Sequence, residues 1–353
     1  MVFDMELSNK DIQMSKGYAV VSMLTLHLFC LRGGEAIIGT PLIWLNEETP
    51  LIYYIGWLCA ICAPTYCICS GYAHFRQGLK NGLTFKKRIK RCFKFLVCYW
   101  LVVLLISILG IVLTSDTIPG NLWNCLSNAF LLSWSYTGIW WYAFVYLIYV
   151  LLSKKIFNIV EKTNGGVVLV LLIAQFFIVE AANKIIPQFI LPHWLLMWIW
   201  ERVYYLLGAR LLCYMGGMYI AQKEIISAVK RRLDGIDHSN LMILGILLII
   251  ALVLVVLDKG ILIVFYTFPV FVGFNCLKKN AKFSNVMLML GKYSTYVWLI
   301  HPFIYRNVFP QITQIWIKLR FPILLLVELL IMSLLVSWPL NKMSSELIKK
   351  LKI

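Results

Sequence analysis

The chain has 353 residues, of which 61% are hydrophobic and 14% charged, whereas soluble globular domains are roughly 45–50% apolar and about 25% charged. This composition excludes an ordinary soluble enzyme. The formal charge of +17 does not indicate a nucleic-acid partner, because the basic residues lie in short loops between apolar blocks. Those blocks do not alternate in polarity, so a transmembrane β-barrel is excluded and an all-α, polytopic integral membrane protein is predicted.

Ten apolar blocks follow one another along the chain, each near the roughly 20 residues that a helix needs to cross the hydrocarbon core. We predict membrane-spanning helices at residues 15–34, 51–72, 93–114, 136–153, 165–183, 195–222, 240–257, 261–277, 285–305 and 321–340. The polar start of the chain does not have the pattern of a signal peptide. We therefore predict one membrane domain, residues 1–353, without a fused soluble domain.

Lysine and arginine are distributed unequally between the two sets of loops. With ten spans the loops alternate sides, and one set, together with both termini, holds 24 of the 33 Lys and Arg. Because positively charged loops remain on the cytoplasmic side, we predict that both termini are cytoplasmic.

Ionisable residues inside apolar blocks are candidate functional residues, because each costs at least about 2.5 kcal/mol to insert. Lys16 and His27 lie eleven residues apart in the first block. At 100° per residue they share a helix face, about 16 Å apart along the axis. This spacing suits a long ligand with an anionic head near the cytoplasm and a reactive end at His27, a natural general base. A snorkelling lysine and a packing histidine are the alternative interpretation.

Two short motifs follow on the cytoplasmic side. Ser70-Gly71-Tyr72 ends the second block, where glycine permits either close backbone approach or a simple helix end. Arg88 and Arg91 are three residues apart and share a helix face. Arginine suits bidentate contact with phosphate, although the same basic stretch also anchors the next span.

Polar and aromatic residues in later blocks are further candidates. His301 precedes Pro302, which frees a backbone carbonyl one turn earlier, so satisfying local polar groups is one role for this imidazole. Glu201, in the sixth block, fits either an internal ion pair or the wall of a wet cavity. Trp141 and Tyr142 begin the fourth block and fit an aromatic belt as well as a binding surface.

Metal and nucleotide chemistry receive little support from the sequence. The chain has ten cysteines, four of them at positions 59, 62, 67 and 69, which raises the alternative of a zinc or redox site. Cysteine in a membrane helix more often serves as a small apolar packing residue, so we predict no metal site and no disulfide framework. GxxxxGK[ST], HExxH and GxGxxG are all absent, which leaves an ATP-driven pump or a membrane metalloprotease unsupported.

Taken in order, these motifs resemble the membrane acyltransferase family 3, whose members are O-acyltransferases that modify cell-envelope carbohydrates. The family has a basic residue, ten intervening residues and a histidine in its first span, matched here by Lys16 and His27, with Lys where Arg is commoner. An SGY-like ending, an RxxR, a Trp-Tyr pair and a late Tyr-x4-His-Pro follow at Ser70–Tyr72, Arg88–Arg91, Trp141–Tyr142 and Tyr296–Pro302. The resemblance covers nearly the whole chain.

The resemblance implies transfer of an acyl group, acetyl being the expected one, from cytoplasmic acetyl-CoA to a hydroxyl of a carbohydrate or lipid-linked saccharide. It implies that His27 is catalytic, as general base or as transient acyl carrier. The residues implied to contact the donor are Lys16, Ser70, Tyr72, Arg88 and Arg91. Those implied to contact the acceptor are Trp141, Tyr142, Glu201 and His301.

The resemblance also implies a location and partners. The expected location is the bacterial cytoplasmic membrane, with lipids around the chain. Some family members carry a fused extracytoplasmic esterase-like domain, so a separate extracytoplasmic transferase is a further candidate partner. The main alternative function is a multi-span transporter or flippase for an envelope polysaccharide precursor, which an intramembrane histidine would also suit. Internal repeats and paired broken helices, typical of transporters, are not found. A membrane sensor or one half of a split enzyme is a third alternative.

Overall fold

The computed structural model describes most of the chain. The described residues are 6–30, 39–45, 47, 49–163, 165–306, 308–316 and 319–353. Within these ranges every regular element is helical and no strand is found, so the prediction of an all-α fold is confirmed for them. The last four residues of the predicted first span, 31–34, lie outside the described residues.

Each predicted block contains a helix or a run of abutting helices. The helices are α1 (Asn9–Phe29), α2 (Leu51–Leu58), α3 (Cys62–Asn81), α4 (Phe85–Val112), α5 (Leu122–Ala129), α6 (Trp141–Lys162), α7 (Gly165–Ile190), α8 (Trp194–Ile199), α9 (Leu207–Gln222), α10 (Ile225–Leu233), α11 (Ser239–Leu257), α12 (Ile263–Cys276), α13 (Ala281–Ile300), α14 (Pro302–Tyr305), α15 (Pro310–Trp316) and α16 (Pro322–Lys350). A 3₁₀ turn joins α2 to α3, and a π-helical segment, Trp200–Leu206, joins α8 to α9.

Six helices in the described part of the chain are long and apolar enough to cross a membrane. They are Leu51–Lys80, Phe85–Val112, Gly138–Lys162, Gly165–Ile190, Ser239–Leu257 and Pro322–Lys350. The count of ten spans and the cytoplasmic position of both termini stay predictions. α1 is more polar than these six and packs inside the bundle against α2, α3 and α13. A helix that contacts other helices instead of lipid can carry small and polar residues, and α1 carries the predicted Lys16 and His27.

Two close helix pairs form the centre of the bundle, and each depends on glycine. In the pair α3 and α9, a Cβ on Gly71 would lie 1.9 Å from the Tyr214 carbonyl oxygen, and one on Gly217 would lie 2.2 Å from that of Ile68. In the pair α1 and α13, Gly17 and Gly291 make the same kind of backbone approach. Small residues allow such contact between membrane helices. The close pairs fix α1, α3, α9 and α13 around a common space.

Candidate functional site

A cavity of ≈ 690 Å³ lies between these helices, with walls from α1, α3, α4, α6, α7, α9, α12 and α13. Lys16 and His27 both line it, so it follows the first helix over about 16 Å. Asp258 and Lys259, in the turn between α11 and α12, line it too. In the predicted topology that turn lies on the side opposite Lys16. The cavity therefore extends from one half of the bundle into the other.

His27 is held in the cavity wall by a second histidine. Its Nδ1 lies 2.8 Å from Nε2 of His301, across 274 residues of sequence. The two rings are parallel within 7°, with centroids 5.0 Å apart. Tyr305 is also parallel to His301, at a centroid distance of 5.9 Å. His301 is completely buried and does not line the cavity. The pair thus fixes the orientation of the His27 ring.

The hydrogen bonds of His301 determine which nitrogen of His27 carries a proton. His301 Nδ1 lies 3.0 Å from the carbonyl oxygen of Val297 and 2.9 Å from that of Trp298. Carbonyl oxygens only accept, so Nδ1 of His301 must be protonated. In a neutral imidazole Nε2 is then an acceptor, and His27 Nδ1 must donate to it. Nε2 of His27 is left with a free lone pair.

The local sequence explains why His301 stands in this position. Pro302 has no N–H, so the carbonyl of Trp298, four residues earlier, has no helical partner. The His301 side chain supplies that missing donor at 2.9 Å. The interpretation of His301 as a residue that satisfies local polar groups is therefore correct for Nδ1. Nε2 of the same ring meets His27, a contact that the local sequence does not reveal.

The structure brings half of the ten predicted site residues to the cavity. The predicted residues that line it are Lys16, His27, Ser70, Trp141 and Tyr142. They come from α1, α3 and α6, so the candidates of the first two predicted spans and the Trp-Tyr pair share one cavity. Tyr72, Arg88, Arg91, Glu201 and His301 are not among its lining residues.

Tyr72 joins the start of the chain to the rest of the bundle. Its hydroxyl donates to Glu6 at 3.0 Å and accepts the backbone N–H of Leu7 at 3.1 Å. The other carboxylate oxygen of Glu6 accepts the N–H of Ser227 at 2.6 Å, in the first turn of α10. A carboxylate is favourable at a helix N-terminus. Tyr72 therefore has structural partners in this arrangement, and its contact with the donor stays a prediction.

Arg88 and Arg91 lie at the start of α4 with partners from neighbouring helices. Arg88 donates to the carbonyl oxygen of Leu151, and Arg91 donates to the Gln77 side-chain oxygen at 2.7 Å. Arg91 is nevertheless close enough to Lys16 for the two charges to interact. Arg91 thus adds positive potential beside the Lys16 end of the cavity. The contact of both arginines with phosphate stays a prediction.

Glu201 forms an ion pair with its neighbour in the π-helical segment. Its carboxylate lies 3.0 Å from Nη1 of Arg202, and about half of the Glu201 side chain is exposed. Arg202 also donates to the carbonyl oxygen of Leu132 at 3.3 Å. Of the two alternatives for Glu201, the ion pair is the one observed. The expected contact between Glu201 and an acceptor stays a prediction.

Several polar residues of the cavity wall did not emerge from the motifs. They are Tyr66, Tyr146, Glu180, Lys184, Tyr205 and Arg210. The sequence did contain an indication for Arg210, because a charged residue inside an apolar block is a candidate functional residue by default. In the described residues no group of three or more His, Cys, Asp or Glu is arranged to hold a metal ion.

Residues 10–342 match a family model described as "Acyltransferase domain". No curated protein and no solved structure matches the chain.

Proposed function

This chain belongs to the membrane acyltransferase family 3, and from that premise we propose that it transfers an acyl group, acetyl in the first instance, from cytoplasmic acyl-CoA to a hydroxyl of a carbohydrate or lipid-linked saccharide of the cell envelope. The family makes it a multi-pass membrane acyltransferase. Donor, acceptor and the roles of residues are our proposal. The observation that supports it is the His27–His301 hydrogen bond, which leaves Nε2 as the proton-accepting nitrogen of a histidine that lines a large cavity.

Donor binding is assigned to the Lys16 half of the cavity. Lys16 lines this half, and Arg91 stands close by. Positive side chains attract the phosphates of acyl-CoA, and a lysine contacts phosphate as a point charge. The distance of about 16 Å from Lys16 to His27 gives the pantetheine arm room to deliver its thioester to the imidazole. Ser70 and Tyr66 provide hydroxyls along that path.

Acyl transfer is assigned to His27. Its Nε2 takes the proton of an acceptor hydroxyl while that oxygen bonds to the thioester carbonyl carbon. When the resulting tetrahedral intermediate collapses, the carbon–sulfur bond breaks and the leaving thiolate receives the proton from His27. His301 is a positioning residue, because its Nε2 holds the His27 proton on Nδ1 throughout. In the alternative route, the same His27 nitrogen attacks the thioester carbonyl carbon and the thiolate of CoA leaves. The acceptor hydroxyl then attacks the acyl-imidazole, the bond to the nitrogen breaks, and the hydroxyl proton passes to the thiolate.

Acceptor binding is assigned to the half of the cavity that Trp141, Tyr142 and Tyr205 line. Ligand sites combine aromatic walls with a few polar groups that fix orientation. Asp258 and Glu180 line the cavity as well, and carboxylates can accept hydrogen bonds from sugar hydroxyls.

Radiolabelled acetyl transfer in membranes tests the role of His27. We expect His27→Ala to lose about 10²–10⁴-fold in rate, the usual contribution of a general base. His193→Ala is a matched control, because His193 is exposed in the structure and should transfer at the normal rate. Near-normal transfer by His27→Ala would remove His27 from the mechanism.

Acetyl-CoA itself separates the enzyme from a transporter or flippase. We expect the purified protein to bind acetyl-CoA and to hydrolyse it slowly without an acceptor. A transporter of saccharide precursors should do neither.

A further inference from the structure

Arg210 is a positive charge in the cavity wall, and no described carboxylate forms an ion pair with it. It belongs to α9, and its guanidinium carbon lies 5.2 Å from the centre of the Trp141 ring. Its Nε is buried and has no hydrogen-bond acceptor in the part of the chain that the structure describes. Arginine stays protonated in proteins, so this charge is present whatever surrounds it. The side chain is half-buried, and a partly desolvated charge is favoured by an anionic partner.

Arg202, two turns earlier, provides a comparison, because its Nε likewise has no hydrogen-bond acceptor in the described structure, whereas its terminal nitrogens are paired. Arg202 pairs with Glu201 at 3.0 Å and donates to the carbonyl oxygen of Leu132. It also packs against the ring of Trp134, 4.0 Å from its centre. Arg210 has the aromatic contact but neither the carboxylate nor the carbonyl among the described residues. Of these two arginines, only Arg210 lines the cavity, so a ligand in the cavity can supply the anionic group that its charge lacks.

The charges around Arg210 leave a positive surplus. In this half of the cavity the basic residues are Lys184, Arg210 and Lys259, and the acidic residues are Glu180 and Asp258. The charge of Arg210 acts on the carboxylate of Glu180. The two side chains nevertheless do not form an ion pair within 4.0 Å in the described structure. Two acidic residues against three basic ones leave one positive charge for a ligand to neutralise.

Arg210 stands apart from the expected phosphate end of the donor. Its neighbour Trp141 is the first residue of α6, about 32 Å along the helix from Lys162 at the opposite, cytoplasmic end. The donor phosphates are assigned to Lys16, about 16 Å from His27 along α1. A second anionic group near Trp141 therefore belongs to the other substrate.

We propose that the acceptor is an anionic saccharide, whose carboxylate or phosphate binds the guanidinium of Arg210 while its sugar ring contacts Tyr142 and Tyr205. This inference rests on the acyl transfer proposed above. The planar guanidinium presents paired N–H groups that match a carboxylate or a phosphate. In this proposal Arg210 selects the saccharide that is acylated, and His27 catalyses the acyl transfer.

The test compares acceptors in nanodiscs that contain the wild-type protein. Acetyl transfer from acetyl-CoA is measured to methyl glucoside, methyl glucuronide and glucose 1-phosphate. We expect kcat/KM to be at least about tenfold higher for an anionic sugar than for the neutral one, because hydrogen bonds to charged groups are the strong ones. The ratio of glucuronide to phosphate identifies the anionic group. Equal transfer to all three sugars would overturn the subsite and leave the acyltransferase intact.

Variants tie the preference to one side chain. Arg210→Gln should reduce the preference for the anionic sugar to about twofold or less, since the amide has no charge. Arg202→Gln, the matched control outside the cavity, should keep it. Arg210→Lys retains the positive charge and should keep part of the preference for the anionic sugar. It provides the test if the glutamine variant does not fold. A full preference in Arg210→Gln would refute the assignment. Transfer that persists in His27→Ala would instead refute the catalytic proposal.

Discussion

Replacing His301 is expected to slow the chemical step without weakening donor binding. In His301→Leu the Nδ1–H of His27 loses its acceptor at 2.8 Å. A buried donor without a partner costs about 1–3 kcal/mol, so the proton moves to Nε2 in most molecules. The reactive tautomer becomes a minor form, and kcat should fall about 5–150-fold. His301→Gln should stay within about fivefold of the wild type, because its amide oxygen still accepts that proton.

The assay is steady-state acetyl transfer with kcat and KM determined separately. His301 does not line the cavity, so KM for acetyl-CoA should be unchanged in both variants. Thermal melting of each variant, scaled to the folded fraction, separates a loss of rate from a loss of stability. A wild-type kcat in His301→Leu would refute the reasoning. An equal reduction of kcat in the leucine and glutamine variants would also refute it.

Three further perturbations test other parts of the structure. Lys16→Ala should raise KM for acetyl-CoA at least about tenfold, the value of one charge-assisted hydrogen bond, whereas Lys10→Ala, exposed on the same helix, should leave KM unchanged. Gly71→Ala places a Cβ 1.9 Å from a backbone oxygen, and thermal melting should show a destabilisation of about 1–3 kcal/mol. Gly245→Ala is the control and should leave the stability unchanged, because nothing lies within 4 Å of its Cβ. Tyr72→Phe should speed hydrogen exchange at residues 6–8 and in the first turn of α10 with KM for acetyl-CoA unchanged, and a raised KM would favour donor contact instead.

The SGY-like motif illustrates how one short pattern can serve several purposes. Ser70 lines the cavity, Gly71 permits the close contact between α3 and α9, and Tyr72 binds the chain start through Glu6. The interpretation of the motif as a helix end was wrong, because α3 continues through it to Asn81. The motif also did not predict that its three residues meet three different neighbours, because that depends on which helices surround α3.

The sequence alone was sufficient to predict an all-helical membrane protein and to place Lys16 and His27 on one helix face. Insertion of a segment into a bilayer depends on its own length and polarity, so the apolar blocks could be identified without knowledge of any tertiary contact. The shared face of Lys16 and His27 is equally local, because the helical repeat of 3.6 residues fixes it. Pro302 likewise indicated a free carbonyl one turn earlier, which His301 satisfies.

Only the tertiary structure decided which distant side chains meet. The contact of His27 with His301 joins helices separated by most of the chain, and the difference between Arg202 and Arg210 depends on which residues face them. Hydropathy and spacing do not encode the rotation and the vertical offset of one helix against another. Those are set by close backbone contacts such as that of Gly71 with Tyr214, where the absence of a side chain permits an approach that the surrounding packing then fixes.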